Sequence, residues 1–223
     1  MARRTDSPVP PSDAAPDLPA RLEPATELVR HGDLLGARVD GLSGAVDAAH
    51  SRLTESVVAA LSADRLDLTG AVLTDVRLVE PRATEIVARD GQWRSVEIVG
   101  GRIGTLDLLR ADLDGVLLRD VRIDYLSLPS ARIADLRCTG CVIGTMDLPD
   151  AEVRRAAFRD TRVDEVDTRG LRATDLDLRG LEALSYTEPA ALRGATMSEA
   201  QLLTHAASFA RALGIRVLDG NPA

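Results

Sequence analysis

The stretch that decides the fold runs from Val96 to Leu178 and reads VEIVG GRIGT LDLLR ADLDG VLLRD VRIDY LSLPS ARIAD LRCTG CVIGT MDLPD AEVRR AAFRD TRVDE VDTRG LRATD LDL. Written in fives, the third residue of each unit, from Ile98 to Leu178, is apolar in sixteen of seventeen cases, with only Thr168 departing. The first residue is apolar in fifteen of seventeen, the exceptions being Gly101 and Thr161, and the residue between the two is polar in fourteen of seventeen. Apolar spacing therefore alternates 2, 3, 2, 3 without an insertion over more than eighty residues. An α-helix cannot hold this pattern, because its 3.6-residue period drifts out of phase with a repeat of five within a few turns. A spacing of two puts both side chains on one face of an extended segment, and the extra residue must turn a corner.

A second period sits on the first. The leading apolar position is large at Leu66, Ile86, Leu106, Leu126, Met146 and Val166, and small five residues later at Ala71, Gly91, Ala111, Ala131 and Ala151. The recurrence at twenty residues predicts four units per coil, an all-β solenoid with alternating bulky and small interior columns. On the outside, Asp67, Asp107, Asp147 and Asp167 share one column, and Arg82, Arg102, Arg122 and Arg162 share its neighbour. With coils about 4.8 Å apart, residues 46–181 make about seven coils and a rod of about 33 Å. A leucine-rich repeat is excluded by the missing Asn ladder and by a five-residue phase that leaves no room for a convex segment. A hexapeptide helix is excluded by the spacing.

Working outward, residues 1–25 are rich in Pro, Ala and Asp and read as a disordered tail. Residues 26–45 are an N-terminal cap or a first-coil region, and 46–184 are the repeat. Residues 185–223 hold a loop followed by a helix, announced by a capping box at Ser198 and Gln201 and stopped at Gly214. Leu202, Ala206, Phe209, Ala210 and Leu213 form an apolar stripe at helical spacing on that helix. Its expected role is to cap the open end, and Leu202, Ala206, Phe209 and Leu213 are the candidate cap or dimer contacts.

Composition agrees with thin interior layers: 45% of residues are hydrophobic but only 2% are aromatic. All 27 basic residues are Arg, which excludes lysine chemistry, and the net charge of −8 argues against a direct nucleic-acid binder. No apolar run nears the roughly 18 residues of a membrane span, and the start carries no apolar signal segment, so the expected location is cytoplasmic, away from membranes.

The units Ala111-Asp-Leu-Asp-Gly, Leu106-Asp-Leu-Leu-Arg and Leu176-Asp-Leu-Arg-Gly resemble the A(D/N)LXX unit of pentapeptide-repeat proteins. The resemblance covers about 135 of 223 residues and implies a right-handed quadrilateral β-helix. The segment Leu192 to Val217 is similar to the C-terminal helical segment of many actinobacterial members. Departures are Phe158 as the sole central Phe, and Pro81, Gly91 and Trp93, which predict a less regular coil between residues 80 and 95.

No catalytic, cofactor or metal constellation stands out. Cys138 and Cys141 form a CxxC, but both occupy inward positions and read as buried core thiols. His31, His50 and His205 are scattered and read as surface or cap residues, and Asp beside a corner is explained by hydrogen bonds to turn amides. Tyr125 is a corner aromatic open to an interface role. The expected function is a non-enzymatic scaffold for an unknown protein partner. The alternative implied by the resemblance is a DNA mimic that binds DNA gyrase or topoisomerase, usually as a homodimer joined through the C-terminal helix. Asp107, Asp147, Asp150 and Asp167 would be its acidic stripe. DNA carries about nineteen charges over such a rod, whereas residues 66–181 hold 21 acids against 17 Arg, a net of −4.

Overall fold

The computed structural model describes residues 7–12 and 15–218. From Glu23 to Tyr186 the chain winds into a β-solenoid of about eight turns, followed by one helix, α1 (Glu199–Ala212). The N-terminal end consists of the short strands β1 (Glu23–Ala25), β2 (Asp33–Leu35), β3 (Ala37–Asp40) and β4 (Ser43–Asp47), with β1 stacked on β3 and both β2 and β3 stacked on the strand that follows β4. Longer and shorter strands then alternate: β5 (Arg52–Ala59), β6 (Ser62–Asp67), β7 (Val72–Val79), β8 (Arg82–Val87), β9 (Gln92–Val99), β10 (Arg102–Asp107), β11 (Asp112–Arg119) and β12 (Arg122–Ser127). The series ends with β13 (Arg132–Thr139), β14 (Val142–Asp147), β15 (Glu152–Arg159), β16 (Thr161–Asp167), β17 (Arg172–Asp177) and β18 (Leu181–Tyr186). Odd strands stack in one sheet, with β2 beside β5, and even strands from β4 to β18 stack in the other.

From β5 and β6 onward the offset between paired strands is twenty residues, whereas the N-terminal pairs β2–β5 and β3–β5 are offset by nineteen. Leu66, Ile86, Leu106, Leu126, Met146 and Val166 lie one above the next in parallel register. The four sides come from four corners. Each eight-residue strand bends at its centre, where Asp75, Ser95, Gly115, Asp135 and Arg155 have φ between 50° and 74°. The chain turns again at Glu80, Gly100, Asp120, Gly140 and Asp160, and after each short strand at Gly70, Asp90, Arg110, Ser130, Asp150 and Gly170. The fourth corner falls inside the short strands, where Gly104 and Asp124 drop out of the ladder between paired neighbours. Asp is frequent at left-handed corners because its short carboxylate bonds locally and offsets the steric cost.

Inward positions fill the interior. Leu66, Ile86, Leu106 and Leu126 are at most 1% exposed, as are Ala71, Ala111, Ala131 and Ala151 in the small column. The irregularity expected between residues 80 and 95 does not occur: Trp93 pairs in register with Leu73 and Leu113 and is fully buried. A Cβ at Gly91 would stand 3.5 Å from the indole Nε1, an ordinary contact, and nearer, at 3.0 and 3.3 Å, to the Ala88 and Ala71 carbonyls, so the ring fits its column without taking the place of that methyl.

The N-terminal end differs from the sequence expectation. The solenoid begins at Glu23, a turn before residue 46, and residues 7–12 and 15–22 are laid along its side instead of forming a free tail. The backbone N–H groups of Val9, Ser12 and Asp17 donate to the carboxylates of Asp175, Asp135 and Asp75, each at 3.0 Å. Proline-rich composition predicts little apolar burial, but it also presets an extended backbone that needs few partners to be held. Residues 1–6 and 13–14 of the expected tail lie outside the described residues.

At the other end the capping box forms as expected, with Ser198 Oγ accepting from Gln201 N–H and the Gln201 side chain accepting from Ser198 N–H. The face that α1 turns to the solenoid is not the one its apolar stripe predicts. Gln201 Nε2 donates to the carbonyls of Leu178 and Leu181, His205 is buried against Tyr186, and Phe209 packs on the core. Leu202, Ala206 and Leu213 are exposed, Leu202 at 52% and Leu213 at 74%. The open end presents carbonyls as well as apolar layers, and the Gln201 bonds to them, the one to Leu178 added to its turn bond from Leu181 N–H, go with the Gln201 side of the helix.

Candidate functional site

With the interior packed, function is carried by the outward columns. On the side that holds the acidic column, Asp107 pairs through Ser127 to Asp147, and Asp147 pairs with Asp167. Each of these carboxylates has a local task. Asp67, Asp107, Asp167 and Asp177 accept from the backbone N–H two residues on, at 2.9 to 3.1 Å, fixing the turn after the short strands. Asp107 is also bonded by Arg89 Nε at 2.6 Å and Asp167 by Arg169 Nη2 at 2.5 Å, and both are 7% exposed. Arg169 and the turn amide hold the Asp167 carboxyl below its ordinary range. The acidic stripe is therefore neutralised from within, and Asp150 stands apart from it at an exposed left-handed corner.

Asp147 is the exception, because the residue two ahead is Pro149 and offers no N–H. Its carboxylate instead accepts from Tyr125 Oη at 2.8 Å. Burial raises the Asp147 carboxyl above its ordinary range, with the Asp167 charge adding to the effect. Burial together with Asp147 pushes the Tyr125 hydroxyl up to about 12. An acid whose folded pKa is raised destabilises the fold at pH values above that pKa and ceases to do so as pH falls through it. Asp147→Asn, which keeps an acceptor for Tyr125, accordingly raises Tm at pH 7, and the gain disappears below about pH 4; thermal melts of both chains across that range check it.

The adjoining side is different. Arg82, Arg102 and Arg122 stack in direct register, followed by Val142 and Arg162. All five are exposed. Like charges in adjacent strands about 4.8 Å apart repel and destabilise the ladder. Relief comes from Asp124, which pairs with Arg102 at 2.9 Å and Arg122 at 3.3 Å, and from Glu182, which pairs with Arg162 at 2.8 Å. Sequence reasoning saw this column but weighed the acidic one instead. The signal that separates them is whether a backbone N–H lies two residues on at a turn.

Other sequence-predicted candidates find structural places. Cys138 and Cys141 are free and buried, and burial raises both thiols. Cys141 Sγ donates to the Leu118 and Thr139 carbonyls at 3.3 and 3.4 Å. A thiol reagent such as a maleimide is expected to leave both unmodified in the native chain and to label both in denaturant; mass spectrometry reads the difference. His31 and His50 stack on each other at 5.2 Å, while His205 lies under the cap. Tyr125 is 39% exposed and tied to Asp147. Among the described residues no group of three or more His, Cys, Asp or Glu side chains could hold a metal ion, and no helix is long and apolar enough to cross a membrane.

No family model matches the chain, and no curated protein is similar to it.

Proposed function

We propose that the chain is a pentapeptide-repeat solenoid acting as a non-enzymatic, cytoplasmic scaffold that binds a protein partner with an acidic surface. The observation that carries this reading is the exposed column of Arg82, Arg102, Arg122 and Arg162, kept in like-charge register with Asp124 shared between Arg102 and Arg122 and Glu182 on Arg162. A fold that tolerates such repulsion has a use for the cations at its surface. The interior supports a surface role over catalysis, since the inward positions of the solenoid are filled by buried apolar side chains. The DNA-mimic alternative, with gyrase or topoisomerase as partner, has less support because Asp107 and Asp167 are engaged by Arg89, Arg169 and turn amides. The exposed Leu202, Ala206 and Leu213 face of α1 supports a homodimer contact at the cap. Light scattering at the monomer mass of 23.8 kDa would exclude it.

Capture by the immobilised full chain tests the scaffold role. The wild-type chain is expected to retain an acidic partner that an Arg82→Gln/Arg102→Gln/Arg122→Gln chain, with an unchanged melting curve, loses by about tenfold or more. Equal retention by both chains would reject the basic column as the contact.

A further inference from the structure

The corner occupied by Asp75, Asp135 and Asp175 already holds a peptide, and its geometry is regular. Between Pro8 and Ser12 the backbone has only two N–H groups, those of Val9 and Ser12, because Pro8, Pro10 and Pro11 have none. Both are used, donating to Asp175 and Asp135, and the next donor is Asp17, to Asp75. Each donor follows a proline: Pro8, Pro11 and Pro16. Pro11 and Pro16 are buried, and Arg137 Nη2 donates to the Pro11 carbonyl at 3.0 Å.

The two spacings match. Asp135 and Asp175 are two coils apart, about 9.6 Å, and Val9 and Ser12 are three residues apart, one turn of a polyproline II helix or about 9.3 Å. The central acceptor is prepared for the contact. Arg155 binds Asp135 through two hydrogen bonds of 2.5 and 2.6 Å, which orients its Oδ1 toward the Ser12 amide and keeps the carboxylate charged. Beside this corner, Glu97 points outward yet is only 4% exposed, and Leu117, Arg137 and Ala157 are half-buried, whereas the Arg82 to Arg162 column on the even-strand sheet is exposed throughout.

We propose that this edge is a docking groove for extended, proline-rich peptide segments, read through N–H groups that follow prolines, and that residues 8–12 and 15–17 occupy it in cis. The strap is then an internal competitor that a partner segment of the same chemistry must displace. The groove deepens the scaffold reading by naming a class of partner segment. It stands on a different surface from the Arg column, so the two can fail separately.

The test uses the full chain carrying Val9→Pro/Ser12→Pro, which removes both donors but keeps the strap extended, and a fluorescent peptide of residues 7–19. Anisotropy is expected to show the peptide binding this chain at least about tenfold more tightly than wild type, whose groove faces its own strap at a millimolar effective concentration. The same peptide with proline at both donor positions is expected to lose that binding, and Asp135→Asn added to the opened chain weakens it by about tenfold with an unchanged circular dichroism spectrum. No binding to the opened chain, or equal binding of the two peptides, overturns the proposal. So does a rise in mass that appears only when the opened and wild-type chains are mixed and in neither chain alone, since that would assign the groove to strap exchange between copies and not to the cap contact.

Discussion

Excising residues 112–131 leaves a chain that folds and melts in a single cooperative transition, one coil shorter, whereas excising residues 112–130 leaves one that does not fold. The twenty-residue cut joins Ala111 to Arg132, which continues the ladder because Arg132 pairs directly above Asp112 and Glu152 above Arg132. What is lost is one inter-coil interface, together with one coil spacing of about 4.8 Å beneath the N-terminal strap. The nineteen-residue cut moves every later residue by one place in a pattern of period two, which turns the outward set inward. Arg132 then takes the place of Leu113, Arg137 that of Leu118 and Asp147 that of Leu128, all of them positions at most 3% exposed. Each unpaired charge buried in this way costs about 3–5 kcal/mol, and a few such residues exceed the roughly 5–15 kcal/mol that holds a domain together. Circular dichroism and thermal melts of the two excised chains distinguish the outcomes. Equal folding of both would show that the interior register does not govern the solenoid.

Trp93→Ala is expected to destabilise the chain by about 3–5 kcal/mol, the usual effect of deleting a large ring from a closed core. The site has little freedom to collapse, since Trp93 is stacked between Leu73 and Leu113, themselves at most 1% exposed, in a column held by main-chain ladders on both sides. The indole also carries a liability, because its Nε1 is buried without a hydrogen-bond partner. An unpaired buried donor costs about 1–3 kcal/mol. Trp93→Leu, which restores the residue of the neighbouring coils at that position and removes the unpaired donor, is therefore expected to cost less than Trp93→Ala. Urea melts of the two variants check this, and equal losses would contradict it.

Much of the architecture was legible because a solenoid writes its geometry into sequence as a period. The 2, 3 spacing located the inward residues, and the alternation of bulky and small leading positions located the coil. Trp93 was misjudged as a disturbance because its size departs from the pattern, whereas main-chain pairing with Leu73 and Leu113 holds it in register. The cap was found through Ser198 and Gln201, but the apolar stripe chose the wrong face. Counting apolar residues does not show that Gln201 finds acceptors in the Leu178 and Leu181 carbonyls at the open end. The strap was not legible at all. Its acceptors Asp75, Asp135 and Asp175 lie 58 to 166 residues from their donors, and only the stacking of coils brings them into line.

The surface account is the most exposed to test, because it requires that the outer columns be fixed and that one edge be filled by the chain's own proline-rich segment. Amide hydrogen exchange at Val9 and Ser12, the two N–H groups between Pro8 and Ser12, measures this directly. Both amides are predicted to exchange at least about tenfold more slowly than in the free peptide, with Ser12, bonded to the Arg155-held Asp135, the slower of the two. Exchange of both at the free-peptide rate would contradict the strap and, with it, the docking edge.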